Sequence, residues 1–172
     1  APVEFLNPIQ KNMKKQIICL LSFIITLSMS HGQAAKGSAF PNPKSLGVTG
    51  TMPATKGKVV LYDFWASWCG PCRQAFPAYE KLYQKYKGRG FIIVAVGTDK
   101  KPADSAKFLK GLKTTFPVIL DHSQKLVAKV RPQGMPTAYL VGKNGRIIDI
   151  HTGFRGKKTI KALEAQIEAA LK

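Results

Sequence analysis

Unbroken apolar runs and spaced apolar positions alternate along this chain, and their order predicts a layered domain. Lys58 to Trp65 is apolar but for its first residue and Asp63, the pattern of a strand buried on both faces. Beyond Ala66–Cys72, the residues Phe76, Tyr79, Leu82, Tyr83 and Tyr86 recur at helical spacing, and Gly88 supplies a stop. Phe91 to Val96 is a second buried strand. Ala103 to Leu112 reads as a helix through Ala106, Phe108, Leu109 and Leu112. Phe116–Leu120 suits a short strand and Lys125–Val130 a short helix. Thr137–Val141 and Arg146–Ile150 flank Lys143-Asn144-Gly145, and Asn-Gly between apolar runs is a strong hairpin signal. Ile160, Leu163, Ile167 and Leu171 then form one apolar stripe on a closing helix. The order β-α-β-α-β-α-β-β-α gives a parallel portion first and an antiparallel hairpin last. An α/β fold follows, a mixed central β-sheet with helices on both faces.

The first third of the chain has a different texture. Met13 is followed by Lys14 and Lys15, then by an apolar stretch from Ile17 to Leu27, then by small and polar residues through Ser28, Ser30, Gly32 and Ala34. A basic start, a short apolar centre and a small-x-small exit describe a secretory signal peptide. On this reading residues 1–12 are an added or upstream extension, 13–34 the signal, and cleavage follows Ala34. The rival is a retained anchor, but Ile17–Ser30 falls short of the roughly 20 apolar residues that span a bilayer. Residues 35–57, rich in Gly, Pro, Ser and Lys, read as an extended lead-in that drapes over the domain or stays mobile. Residues 58–172 form the domain.

Charge adds one feature. Residues 35–172 hold 24 Lys+Arg and 8 Asp+Glu, so 24 − 8 gives a net +16. Such a field favours acidic partners or anionic surfaces. The basic surface, or an uncleaved signal, leaves membrane contact open. The lysines are scattered and not interleaved with aromatics along a stripe, which argues against nucleic acid. Compositional bias is the plainer explanation.

Candidate chemistry narrows to two residues. Cys19 lies inside the apolar signal core, so the exported chain keeps Cys69 and Cys72 alone. An isolated close pair is no disulfide scaffold. Cys69-Gly70-Pro71-Cys72 stands where a strand gives way to a helix, so Cys69 meets the unpaired N–H groups of the helix start, which stabilise a thiolate. Pro71 suits the first turn, where a missing N–H costs nothing. Cys69 is the expected exposed attacker and Cys72 the shielded resolver. A metal site needs two further ligands, and the exported chain offers only His122 and His151, each alone in its segment. The expectation is redox chemistry with no metal site and no cofactor, since the cysteines carry the electrons.

The segment from Asp63 to Cys72 closely resembles the active-site segment of thioredoxins. Pro77 matches the proline that bends the helix there, and Gly134-Met135-Pro136-Thr137 looks like the cis-proline loop of that superfamily. The signal, the inserted segment near Phe116–Leu120 and the run from Gly134 to Val141 most resemble the exported TlpA/ResA group. The resemblance covers about Lys58 to Lys172 and implies a thioredoxin-like fold. It implies that Asp63 is the buried carboxylate beneath the pair, its pKa raised by desolvation so that it takes a proton from Cys72. It implies a cis Pro136, with Met135 offering its backbone to a substrate strand. Trp68, Gly70 and Pro71 would form the rest of the substrate face, Trp68 shielding the disulfide while Trp65 packs inside. Three departures stand out: Ala75 where many cytochrome-maturation members carry glutamate, Asp63 where many TlpA-like proteins carry asparagine, and a lead-in without the usual apolar hairpin pattern.

The expected activity is thiol–disulfide exchange on protein disulfides or dithiols in a bacterial periplasm, in the reducing direction, fed by a membrane thiol donor. The alternatives are a disulfide oxidant or isomerase, a non-catalytic dithiol carrying Cu(I), and a protein held to acidic surfaces by charge alone.

Overall fold

A computed structural model describes residues 33–172. The extension at 1–12, and the signal reading at 13–34 apart from Gln33 and Ala34, lie outside the described residues. Five strands, β1 (Val59–Trp65), β2 (Phe91–Gly97), β3 (Val118–Leu120), β4 (Thr137–Val141) and β5 (Ile147–Thr152), form one sheet in the order β3-β2-β1-β4-β5. β1 runs parallel to β2, and β2 to β3; β4 and β5 are antiparallel to their neighbours. Four helices complete it: α1 (Gly70–Tyr86), α2 (Pro102–Leu109), α3 (Lys125–Val130) and α4 (Lys157–Leu171).

β1 sits at the centre of the sheet and is buried along its whole length. Its side chains alternate between two cores, as the strand period requires. Val59, Leu61 and Trp65 join the core under α1 and α4, together with Cys72, Phe76, Tyr79, Leu163 and Ile167. Val60, Tyr62 and Phe64 join the opposite core, with Leu126 and Val130 of α3. Asp63 falls between Leu61 and Trp65 in the period, so it faces α1.

α1 buries Cys72, Ala75, Phe76, Tyr79, Leu82 and Tyr86, a stripe at helical spacing. Fully burying a side chain such as Phe76 contributes about 1.5–3 kcal/mol. Pro77 interrupts the same helix and removes one rung of its hydrogen-bond ladder. α2 ends at Leu109, three residues before the end expected from sequence. Lys110 turns to extended backbone and Gly111 adopts φ 85°, a left-handed stop.

The residues ahead of Lys58 are part of the packed unit. Phe40, Leu46, Val48 and Met52 lie against the core on the α3 side. The ring of Phe40 stacks on Tyr62 with centroids 4.1 Å apart, and Pro43–Leu46 makes a single 3-10 turn capped by Asn42. Gly37 donates to the Ile147 carbonyl at 2.8 Å, Ile147 donates back to Ser38 at 2.9 Å, and Thr49 exchanges hydrogen bonds with Leu120. Among the described residues no helix is long and apolar enough to cross a membrane.

Candidate active site

The carboxyl end of β1 leads directly into the cysteine pair, and the intervening loop is held from several sides. The Trp65 carbonyl accepts from the N–H and hydroxyl of Thr98, at 2.9 and 3.0 Å. The Asp99 carboxylate accepts from the Ser67 N–H at 3.1 Å, from Ser67 Oγ at 2.8 Å and from Ser105 Oγ at 3.0 Å. Cys69 N–H donates to the Ala66 carbonyl at 3.1 Å. The turn before the helix is therefore fixed before any sulfur chemistry starts.

Cys69 is the N-cap of α1, and the Cys72 N–H donates to its sulfur at 3.1 Å. Charge on that sulfur meets the positive end of a 17-residue helix. Cys69 and Cys72 are joined as a disulfide with their Cα atoms 5.3 Å apart. Cys69 retains 3 % of its surface and Cys72 none. Both cysteines are therefore buried in the disulfide, and Cys69 is far more enclosed than the exposed attacker expected. The Trp68 side chain, expected to shield the disulfide, stands 75 % exposed. Trp65 packs inside, stacked on Phe108 with centroids 4.5 Å apart.

Asp63 is fully buried, and neither carboxyl oxygen has a hydrogen-bond partner among the described residues. Within the sheet the register offers it no donor. Its neighbours across the sheet are Ala95 on β2 and Ala138 on β4, two side chains with nothing to donate. Desolvation pushes the Asp63 carboxyl well above its ordinary value. Burial, and then the charge of Asp63, push the Tyr79 hydroxyl up as well, so the carboxyl and this α1 tyrosine share one interior.

The loop before β4 supplies the third wall. The Met135–Pro136 peptide is cis. Thr137 Oγ1 donates to the Gly134 carbonyl and Gly153 N–H to the Pro136 carbonyl, both at 2.7 Å. The Met135 side chain packs against both cores, while its backbone N–H and C=O have no hydrogen-bond partner among the described residues. A cleft of roughly 240 Å³ opens beside Trp68, between Ser67, Arg73, Lys107 and Phe108. The Arg73 guanidinium lies 4.4 Å from the Phe108 ring centre there.

The two described histidines each have a hydrogen-bond partner. His122 Nδ1 lies 2.7 Å from the Asp99 carbonyl oxygen, and His151 Nε2 2.7 Å from Gln166 Oε1. Among the described residues, no three His, Cys, Asp or Glu side chains gather as metal ligands would. Sequence reasoning missed Asp99 and Ser105 as braces of the cysteine loop. The one available signal was a polar stretch at the carboxyl end of β2, the same end of the sheet that carries the cysteines.

Residues 31–167 match the profile of the Redoxin family. The chain is 30 % identical over 142 residues to the thiol-disulfide oxidoreductase ResA of Bacillus subtilis (strain 168), covering 80 % of this chain and 79 % of that protein. It is 32 % identical over 106 residues to ResA of Bacillus anthracis, where the match spans 62 % of this chain and only 61 % of the relative. Its fold is similar to the crystal structure of a protein described as a thiol:disulfide interchange protein DsbE from Chlorobium tepidum. There the TM-score is 0.74 at 39 % identity, covering 81 % of this chain and 100 % of the other. With the cysteine pair at a helix start, the buried carboxyl facing that helix and the cis-proline loop alongside, the chain belongs to the Redoxin family, as a TlpA/ResA-like member of the thioredoxin superfamily.

Proposed function

We propose that this chain is an exported thiol–disulfide oxidoreductase that reduces protein disulfides through Cys69 and Cys72. The observation that carries the reading is a cysteine pair capping a long helix whose buried face shares the sheet side of a carboxyl with no partner among the described residues. In the reduced enzyme the Cys69 thiolate attacks one sulfur of a substrate disulfide. A mixed disulfide forms and the other substrate sulfur leaves as a thiolate, which takes a proton. Asp63 accepts the Cys72 proton, and Cys72 sulfur then attacks Cys69 sulfur. The second substrate thiol is released, the enzyme keeps the Cys69–Cys72 disulfide, and two electrons have passed to the substrate. A reduced thiol carrier, proposed to lie in the membrane, restores the dithiol.

Asp63 suits the proton step because its environment favours the neutral acid. Two cooperating backbone groups of Met135, unpaired among the described residues, suit an extended substrate strand, with Pro136, Gly70, Pro71 and Trp68 around the sulfurs. Export rests on the basic, apolar and small-residue sequence at 13–34, and the periplasm is the proposed compartment.

Two measurements test the reading. Cys72→Ser should halt turnover and accumulate a mixed disulfide at Cys69, visible as a covalent adduct under non-reducing conditions. The reduction potential of the pair should fall near that of thioredoxin, about −270 mV. A value near the roughly −120 mV of DsbA would reverse the direction and make the protein an oxidant.

A further inference from the structure

Where α1 crosses α4, beside the cis-proline loop, the surface holds a groove of roughly 500 Å³. Pro77 and Ala78 of α1, Phe154 of the loop after β5 and Ile160 of α4 make an apolar floor. Lys81, Lys157 and Lys161 stand around it, all exposed. None of the three has a carboxylate within ion-pair distance among the described residues. The acid at this rim, Glu164, is already held by Lys85 at 2.9 Å. The groove therefore offers positive charge around an uncharged bed.

The groove also shares an element with the redox centre, the helix α1 that begins at the cysteines. Gln74, on its wall, is two residues beyond Cys72 in α1. Phe154 follows Gly153, whose N–H is bonded to the Pro136 carbonyl. Phe154 packs on Tyr79 with ring centroids 5.9 Å apart, which ties this wall to the core next to Asp63. A protein whose sulfur meets Cys69 has this groove further along the same helix.

We infer that the groove docks an acidic segment, bearing at least one apolar side chain, of the partner protein whose disulfide or dithiol reacts at Cys69. The inference rests on the exchange reaction proposed above and adds a selection rule to it. Three unpaired lysines attract acid and repel base, which acts mainly on encounter rate and partner choice. The apolar floor gives the segment a place to seat rather than a diffuse field to drift in.

The test uses the full chain in reduced form and two peptides with the same internal disulfide, one flanked by Asp, Glu and Leu, the other by Lys and Leu. Neutral hydroxyethyl disulfide serves as a third substrate. At low salt kcat/KM should favour the acidic peptide by about tenfold or more, and added salt should erode the preference. The triple variant Lys81→Glu, Lys157→Glu, Lys161→Glu should remove or invert that ratio. The control triple Lys44→Glu, Lys56→Glu, Lys129→Glu makes the same charge change at exposed sites outside the groove and should leave most of the ratio in place. Equal reduction of the two peptides, with hydroxyethyl disulfide still consumed, would overturn the docking site and leave the exchange chemistry standing. Equal loss of the ratio in both triples would assign the preference to overall charge and overturn the groove. Failure to reduce any of the three substrates would overturn the exchange reaction and the groove with it.

Discussion

Two of the buried aspartates, Asp63 and Asp99, lie toward the same end of the sheet and are treated in opposite ways. Asp99, 7 % exposed, accepts from Ser67 twice and from Ser105. Asp63, completely enclosed, accepts from nothing among the described residues and has an alanine on either side in the sheet. A buried polar group without a partner costs stability, while one fully bonded holds its neighbours in register. The first arrangement suits a group that must change its protonation state. The second suits a group that must not change at all. The contrast separates the carboxyl proposed to move a proton from the one that braces the cysteine loop.

Replacing each aspartate should therefore move stability in opposite directions. Asp99→Ala strands the donors of Ser67 and Ser105 and should cost about 3 kcal/mol in denaturant unfolding. A neutral result would mean that the cysteine loop does not depend on this brace. Asp63→Asn should stabilise, by less than Asp99→Ala destabilises, and only over part of the pH range. Because folding raises the Asp63 pKa above 3.8, the native state holds the proton more tightly than the unfolded chain. Stability from this group is complete below 3.8 and is lost as pH rises through the folded-state value. The gain from Asn should thus grow as pH rises from 3.8 toward the folded-state value, while turnover at neutral pH falls about a hundredfold. A gain that did not vary with pH would mean the carboxyl does not titrate in the fold. Ser105→Ala removes one of the Asp99 bonds and should cost about 1 kcal/mol, with turnover close to that of the parent protein.

The sheet and helices were legible where one period ran long enough to be read. β1, β2 and β4 are apolar runs buried on both faces, α1 and α4 bury a regular stripe, and α3 and β4 fall on the expected residues. Gly111 was readable in principle as the stop of α2, but Leu112 continued the apolar spacing past it and still packs on the core from outside the helix. The lead-in was opaque for a different reason. Phe40, Val48 and Met52 reach the sheet from irregular backbone and Leu46 from a single 3-10 turn, so no period links them although each is packed. Burial of Asp63 was legible from the apolar run around it; its lack of partners was not, because that depends on alanines contributed by β2 and β4. The exposure of Trp68 and the enclosure of Cys69 are set by loop geometry, which spacing does not encode.

The path of residues 33–57 bears on what the open edges of the sheet are left to meet. Any open sheet ends in two strands whose outer amides are unsatisfied, ready to zip onto another molecule. Here β3 and β5 are those flanks. One stretch of chain reaches both, through Thr49 on Leu120 of β3 and through Gly37 and Ser38 on Ile147 of β5. A polypeptide trimmed to begin at Lys58 would lose both guards at once, and its first failing would be aggregation rather than loss of redox chemistry.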